Sequence, residues 1–137
     1  MTVASDFTSL SEAEWLRCLV SQQPRPNLHV LCDGNEVEPA VSHLMRHSTG
    51  SLQSCRLPGA LNLPATAIDA FVVRDAAAMT LAQQIELFDW MTGAGRGVQV
   101  ISVASRPLAF LVEDGRFFEG LFCLLKAVSL ATVPVRS

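Results

Sequence analysis

The sequence predicts one three-layer α/β domain with a mainly parallel sheet. Two observations support this fold class: segments short enough to be strands alternate with segments of helical periodicity, and the strand segments are apolar on both sides. A parallel sheet is covered by helices on both faces, which explains strands without polar alternation. The 137 residues are enough for one such domain, spanning residues 1–137, with an ordinary core.

Four strands are expected, near residues 28–32, 60–63, 98–103 and 127–130. Before them, residues 1–27 are predicted to form a helix, begun by a capping box at Ser11 and Glu14, and then a linker. Residues 48–58 are expected to form a surface loop because they contain serine and glycine. Residues 65–78 suit either a helix or a strand, and both interpretations stay open.

The second half of the chain predicts three helices. A capping box at Thr80 and Gln83 starts the first, which ends at the glycine-rich turn 93–97. Its predicted buried face consists of Leu81, Ile85, Phe88 and Met91. Pro107 opens a short helix that Gly115 ends, and a last helix with one apolar stripe follows. That stripe consists of Phe117, Leu121, Leu124, Leu125 and Val128, and Cys123 is expected in the core beside it.

The composition excludes several classes of protein. Ten basic and thirteen acidic residues give a net charge of −3 without a basic stripe, so direct nucleic-acid binding is not expected. No apolar segment reaches the roughly 20 residues of a membrane helix, and the start of the chain does not resemble a signal peptide. The four cysteines form no CxxC pair, which indicates reduced thiols in a cytoplasmic protein. A mean hydropathy of +0.33 suggests an apolar face for a partner.

Two groups of side chains suggest chemistry of their own. Cys32 could act as a nucleophile with His29 or His43, which would make the chain a small cytosolic thiol- or metal-dependent hydrolase. His43 and His47 lie four residues apart on a predicted helix and could share a metal ion. No HExxH arrangement and no third ligand accompany them, so neither a metal nor a cofactor is predicted.

An ordered series of letters runs through the end of the chain. Ser105-Arg106 follows a strand, Leu108 lies in the next helix, and Gly115-Arg116-Phe117 and Leu121-Phe122 come before a closing Pro134-Val135-Arg136. This series resembles the AAA+ domain of sigma-54 activators, the bacterial enhancer-binding proteins of the NtrC type. In that family a strand ends in Thr-Asn-Arg, and G-R-F-R-x-D-L-x-x-R-L follows. The resemblance implies a P-loop NTPase-like α/β subdomain, shortened and lacking the helical lid.

The resemblance also identifies where the family's phosphate loop would lie. The family has G-E-S-G-T-G-K where this chain has residues 34–40. Gly34 is retained, Pro39 replaces a glycine and removes a backbone donor, and Ala40 replaces the lysine. Glu36 and Glu38 add negative charge, and each would repel a phosphate charge ~5 Å away by ~3 kcal/mol at an effective dielectric near 20.

The other ATP-handling positions are changed as well. The family's Walker B strand resembles residues 59–63, so the two magnesium-binding acids correspond to Pro64 and Ala65. The sensor asparagine corresponds to Ser105, and the two arginine fingers correspond to Phe118 and Leu124. The G-A-F-T-G-A loop that touches sigma-54 has no counterpart.

These changes imply a pseudo-ATPase: a non-catalytic AAA+-like regulatory or protein-interaction module in bacterial transcription control, of the response-regulator type. Its partner would be a second copy of the chain, a related AAA+ subunit or the transcription machinery, and a homo-oligomer is one expected form. A weak nucleotide sensor without hydrolysis is an alternative, which requires an open pocket beside Gly34.

Overall fold

The computed structural model describes residues 26–32, 38–39, 42 and 50–131. This part of the chain contains the strands β1 (Leu28–Leu31), β2 (Leu52–Arg56), β3 (Ala70–Arg74), β4 (Gln99–Ala104) and β5 (Val128–Ala131). It also contains the α-helices α1 (Leu81–Thr92), α2 (Leu108–Glu113) and α3 (Glu119–Leu125), a 3₁₀ turn at Ala76–Ala78, and helical conformation at residues 38, 39 and 42. None of the helices in these residues has the length and apolarity to cross a bilayer. The predicted capping box at Ser11 and Glu14 lies outside the described residues.

The five strands form one sheet in the order β2-β3-β4-β1-β5, and every pair is parallel. This confirms the predicted α/β fold with a parallel sheet. The chain crosses the sheet in one direction from β1 to β2 and in the opposite direction from β3 to β4 and from β4 to β5. Right-handed crossovers therefore put α1, α2 and α3 on one face of the sheet, which we call the helical face.

The core lies between the sheet and these helices. Phe71, Val73 and Val100 point from the sheet into a buried cluster with Leu87 of α1 and Leu121 of α3. Because side chains alternate along a strand, their neighbours in sequence point to the opposite face. On that second face Val72, Ile101 and Val103 are fully buried too. The central strands are thus covered on both sides, as their continuous apolar sequences predict.

The prediction of a strand at residues 60–63 is wrong. Those residues belong to an irregular loop between β2 and β3, and Leu61 and Leu63 are half-buried against the core from that loop. Leu61 and Leu63 alternate with small and polar residues because they anchor the loop to the core. No neighbouring strand pairs with them. The predicted loop at 48–58 is in fact occupied by β2, an edge strand that tolerates a polar sequence. Residues 65–78, left open between helix and strand, contain β3.

Helix α1 begins as predicted, and two of its four predicted face residues, Phe88 and Met91, pack against the core. Thr80 accepts a hydrogen bond from the amide of Gln83, and the Gln83 side chain accepts one from the amide of Thr80. The expected burial of Leu81 and Ile85 is wrong: their side chains are 53% and 43% exposed. The buried positions of α1 are Gln84 and Leu87. The apolar periodicity was misleading because a glutamine, satisfied by hydrogen bonds, takes a core position.

Helix α3 confirms most of its predicted stripe. Phe117, Leu121 and Leu125 are buried, and Leu124 is half-buried. The expectation that Cys123 lies in the core is wrong, because it is exposed. Positions 121 and 125 are one helical turn apart, so position 123 lies on the opposite side of the helix.

Gln84 connects α1 to the segment that precedes α3. Its side-chain nitrogen donates to the carbonyl oxygens of Met79 and Arg116, at 3.1 Å each. Its side-chain oxygen accepts from the amide of Phe118 at 2.7 Å. Gln84 is 1% exposed, so these bonds replace water completely. The Arg116-Phe117-Phe118 segment is thereby fixed at the start of α3.

We expect Gln84→Met to lower the free energy of unfolding by about 2 kcal/mol, because the Phe118 amide and two carbonyl groups lose a buried partner. Urea denaturation followed by circular dichroism measures this loss. The control is Glu86→Gln, an exposed position on the same helix, which should change stability by less than about 0.5 kcal/mol. Equal stability of the two variants would contradict the role given to Gln84.

Candidate functional site

Open parallel sheets bind ligands at the carboxyl ends of strands, where neighbouring connections leave in opposite directions. In this sheet that point lies between β1 and β4. Cys32 follows β1, Ser105 follows β4, and Asp75 follows β3, the other neighbour of β4. We call this row of strand ends the carboxyl edge.

An ion triad occupies part of the carboxyl edge. Glu38, in helical conformation, accepts a hydrogen bond from Arg56 Nη2 at 2.7 Å through one carboxylate oxygen. Its other oxygen accepts from Arg74 Nη1 at 3.0 Å. Arg56 and Arg74 are the last residues of β2 and β3 and are partners in the parallel register. One carboxylate against two guanidinium groups leaves the triad with one net positive charge.

The positions predicted for the Walker B acids lie at the opposite edge of the sheet. Pro64 and Ala65 line a cleft of about 330 Å³ together with Gly97 and Val98, which precede β4. Strand β4 has six residues. At about 3.3 Å per residue, the full length of β4 lies between this cleft and Ser105. Pro64 and Ala65 therefore cannot stand where acids would meet a nucleotide, and assigning them to that role is wrong.

Asp69 lies at the same amino-terminal edge. Its carboxylate accepts from the amide of Ser51 at 2.8 Å, and its carbonyl oxygen accepts from the amide of Gln99 at 3.1 Å. These bonds align the starts of β2, β3 and β4. Asp69 is thereby placed at the amino-terminal edge, away from the carboxyl edge where ligands bind.

The strand that reaches the carboxyl edge beside β4 is β3, and its last residues were missed as site candidates. The apolar residues Phe71, Val72 and Val73 are followed by Arg74 and Asp75, in the same order as the apolar run and acid pair of the family's L-F-L-D-E. Arg74 and Asp75 thus lie at the carboxyl end of β3, beside β4. The signal in the sequence was the apolar run before them, which suits a strand better than the sequence of residues 59–63.

No protein-family model and no curated protein matches the chain. Among solved structures, NtrX from Brucella abortus in complex with ADP matches with a TM-score of 0.68 and 14% identity, over 96% of this chain and 37% of NtrX. The P-loop NTPase domain of a sigma-54 transport activator from E. coli matches with a TM-score of 0.56 and 14% identity, over 93% of this chain and 100% of that domain. The chain has the fold of a sigma-54 activator's P-loop NTPase domain. This confirms the fold that the resemblance implies.

The same NtrX has also been crystallised with ATP, and that structure matches with a TM-score of 0.63 and 14% identity. This chain spans little more than a third of NtrX, 37% in the ADP complex. A sequence identity of 14% shows that the fold is shared. The chemistry of the carboxyl edge depends on this chain's own residues.

The remaining predicted positions differ in what surrounds them. Ser105 is exposed at the carboxyl edge. Phe118 packs edge-on against Phe88 with ring centroids 5.0 Å apart. Leu124 is half-buried, and its carbonyl oxygen accepts from the Asn27 side chain at 3.0 Å. Phe118 and Leu124 hence serve the packing of α3.

The predicted phosphate-loop positions are described only in part. Pro39 is exposed and helical, directly after Glu38 of the ion triad. Gly34 and Ala40 lie outside the described residues, as do Cys18, His43 and His47. The open pocket required beside Gly34 for a nucleotide sensor therefore belongs to a segment that the structure does not describe.

The structure separates Cys32 from His29. Their side chains point to opposite faces of the sheet, because odd and even positions of a strand alternate. His29 is buried on the helical face, where its Nδ1 lies 2.7 Å from the Ser102 hydroxyl oxygen. Cys32 is buried as well, with 3% exposure. The predicted pairing of Cys32 with His29 as a nucleophile and base is therefore wrong.

Burial determines the charge of His29. Desolvation lowers the pKa of its imidazole from 6.5 to about 4, so the ring is neutral at pH 7. A neutral ring forms the hydrogen bond between Nδ1 and the Ser102 hydroxyl without placing a charge in the core. Across the described residues, no group of three or more His, Cys, Asp or Glu side chains is placed to hold a metal ion.

The lowered pKa of His29 predicts how stability depends on pH. The unfolded chain takes up a proton near pH 6.5, while the folded chain does so only near pH 4. Stability is therefore complete above pH 6.5 and declines as the pH falls from 6.5 towards 4. Between pH 7.5 and 5.5 the unaltered chain should lose about 1.4 kcal/mol more than His29→Gln, in which this titration is absent. Denaturant titrations at both pH values measure the difference, and parallel pH profiles would disprove it.

Proposed function

We propose that this chain is a non-catalytic AAA+-like module that acts in bacterial transcription control, in the cytoplasm, through contacts with proteins. The observation that carries the proposal is Arg74 at the end of β3. ATP hydrolysis on this fold needs carboxylates there to hold Mg²⁺ and to polarise the attacking water. A guanidinium group has five donors and no acceptor, so it can do neither.

The surroundings of Arg74 support this interpretation. Its terminal nitrogen is bonded to Glu38 at 3.0 Å, and its side chain is 21% exposed. A partly buried, paired guanidinium does not make way for a divalent cation, and its charge repels one. Asp75, the acid beside it, has a left-handed backbone at φ 62° and ψ 57°. A single acid next to an arginine makes a poor magnesium site.

The ion triad changes the expected effect of Glu38 on a bound phosphate. Glu38 was expected to repel phosphate as an unpaired charge, but two arginines neutralise it. The proposal therefore depends on different grounds: Ala40 in place of the lysine, Pro39 in place of a donor, and Arg74 in place of an acid. Each of these changes removes a group that ATP or magnesium would contact.

We expect no micromolar binding of ATP or ADP, with or without Mg²⁺, and no phosphate release above background. Isothermal titration calorimetry and a phosphate-release assay measure the two quantities. NtrX from Brucella abortus, crystallised in complex with ADP and with ATP, is the matched positive control under the same conditions. Micromolar binding or turnover by this chain would refute the pseudo-ATPase proposal.

A protein partner would use exposed apolar surface. Leu81 and Ile85 lie one turn apart on α1, 53% and 43% exposed, and Phe110 of α2 is 64% exposed. Large apolar side chains left in water are typical of contact surfaces. The candidate partners are a second copy of the chain, a related AAA+ subunit and the transcription machinery.

If the partner is a second copy, the weight-average mass in sedimentation velocity should rise with protein concentration. The double variant Leu81→Gln/Ile85→Gln should weaken self-association at least about tenfold, because it removes apolar area from the contact. Glu86→Gln on the same helix is the control and should associate like the unaltered chain. A monomer at all concentrations would leave the other two partners as the proposed ones.

A further inference from the structure

Arg56 and Arg74 form a pair of like charges that requires an anion. They are register partners at the ends of two adjacent parallel strands. Such strands lie about 4.8 Å apart, and like charges directly opposite each other destabilise a sheet. Arg74 is only 21% exposed, so water screens its charge less well than that of a surface arginine. A negative group between the two guanidinium groups relieves this repulsion.

Glu38 supplies that group from outside the sheet. It contacts one terminal nitrogen of each arginine, at 2.7 Å to Arg56 and 3.0 Å to Arg74. The carboxylate is 52% exposed and the Arg56 side chain is 64% exposed. Both contacts are therefore reachable from solvent and of the kind that opens readily.

Glu38 does not use all the donors that the arginine pair offers. Arg74 Nε is buried and has no hydrogen-bond partner among the described residues. A planar carboxylate has two oxygens, and here each is engaged by a different arginine. A tetrahedral oxyanion has further oxygens that can reach the remaining guanidinium donors, and arginine binds phosphate in this forked manner.

We propose that Arg56 and Arg74 form a binding site for an oxyanion of the phosphate class, and that Glu38 occupies this site as an intramolecular competitor. The carboxylate stands where an oxygen pair of the anion would bind. The inference rests on the geometry of the triad and not on the proposed function, which concerns ATP and magnesium.

Glu38 determines the apparent affinity of the site for phosphate. Phosphate binds only to the fraction of molecules in which Glu38 has left the arginines, and the apparent dissociation constant rises by the inverse of that fraction. Exposed ion pairs have modest strength, so an open fraction of about one tenth is expected. Removing the carboxylate should then tighten phosphate binding about tenfold.

The test uses Glu38→Gln, which keeps the side-chain shape and removes the charge. Inorganic phosphate is titrated at constant ionic strength, and the Arg Nε–H resonances in ¹H–¹⁵N NMR spectra report binding. Glu38→Gln should bind phosphate about tenfold more tightly than the unaltered chain. Adding Arg74→Gln to this variant should abolish the gain.

The matched control is Asp75→Asn. It removes one negative charge at the same edge, next to Arg74, and asparagine tolerates the left-handed backbone at position 75. Its effect on phosphate affinity should stay below about threefold, because only general electrostatics change. Glu38→Asp is the second variant: it folds with its charge intact but is one methylene too short to span both arginines, and its affinity should lie in between.

Equal phosphate affinity of Glu38→Gln, Glu38→Asp and the unaltered chain would overturn the inference. So would an equal gain in Asp75→Asn, since any lost acid would then have the same effect, or a gain that survives Arg74→Gln. The ATP titration of the unaltered chain tests the proposed function separately, because it measures a different ligand on a chain that retains Glu38.

Discussion

The burial of β3, β4 and β1 on both faces is the constraint from which the rest of the structure follows. Strands of this kind pair in parallel, and each parallel pair needs a crossover that covers a face. The order β2-β3-β4-β1-β5 makes the chain turn in opposite directions from β1 and from β4. All carboxyl ends then lie along one edge, and the connections part at that edge. The location of the candidate site is thus a property of the sheet and not of any particular polar residue.

This separation of scaffold and site means that the stability of the fold does not depend on the chemistry of the carboxyl edge. The buried cluster around Phe71, Val100 and Leu121 stabilises the sheet whether or not a nucleotide binds. Gln84 and the Thr80 capping box hold α1 by contacts that are remote from the carboxyl edge. Residues at the strand ends are therefore free to change sign of charge without loss of the fold.

The sequence predicted the elements whose signals are local and failed where a signal depended on neighbours in space. Thr80 and Gln83 mark the start of α1 because a capping box is complete within four residues. β2 was mistaken for a loop, since an edge strand with the sequence LQSCR pairs with a neighbour on one side only and lacks an apolar run. The half-buried Leu61 and Leu63 resembled a strand because anchoring residues of a loop can alternate too.

The misplaced strand also changed which residues belong to the site, because the order of strands in the sheet determines which residues reach the carboxyl edge. With the Walker B strand at 59–63, the acid positions were Pro64 and Ala65, which are merely inert. Strand β3 instead brings Arg74 and Asp75, a base and an acid, to the carboxyl edge. Magnesium requires several oxygen ligands, and an arginine pair excludes it while attracting anions. At the ends of β2 and β3, the carboxyl edge of this chain therefore holds a carboxylate between two guanidinium groups.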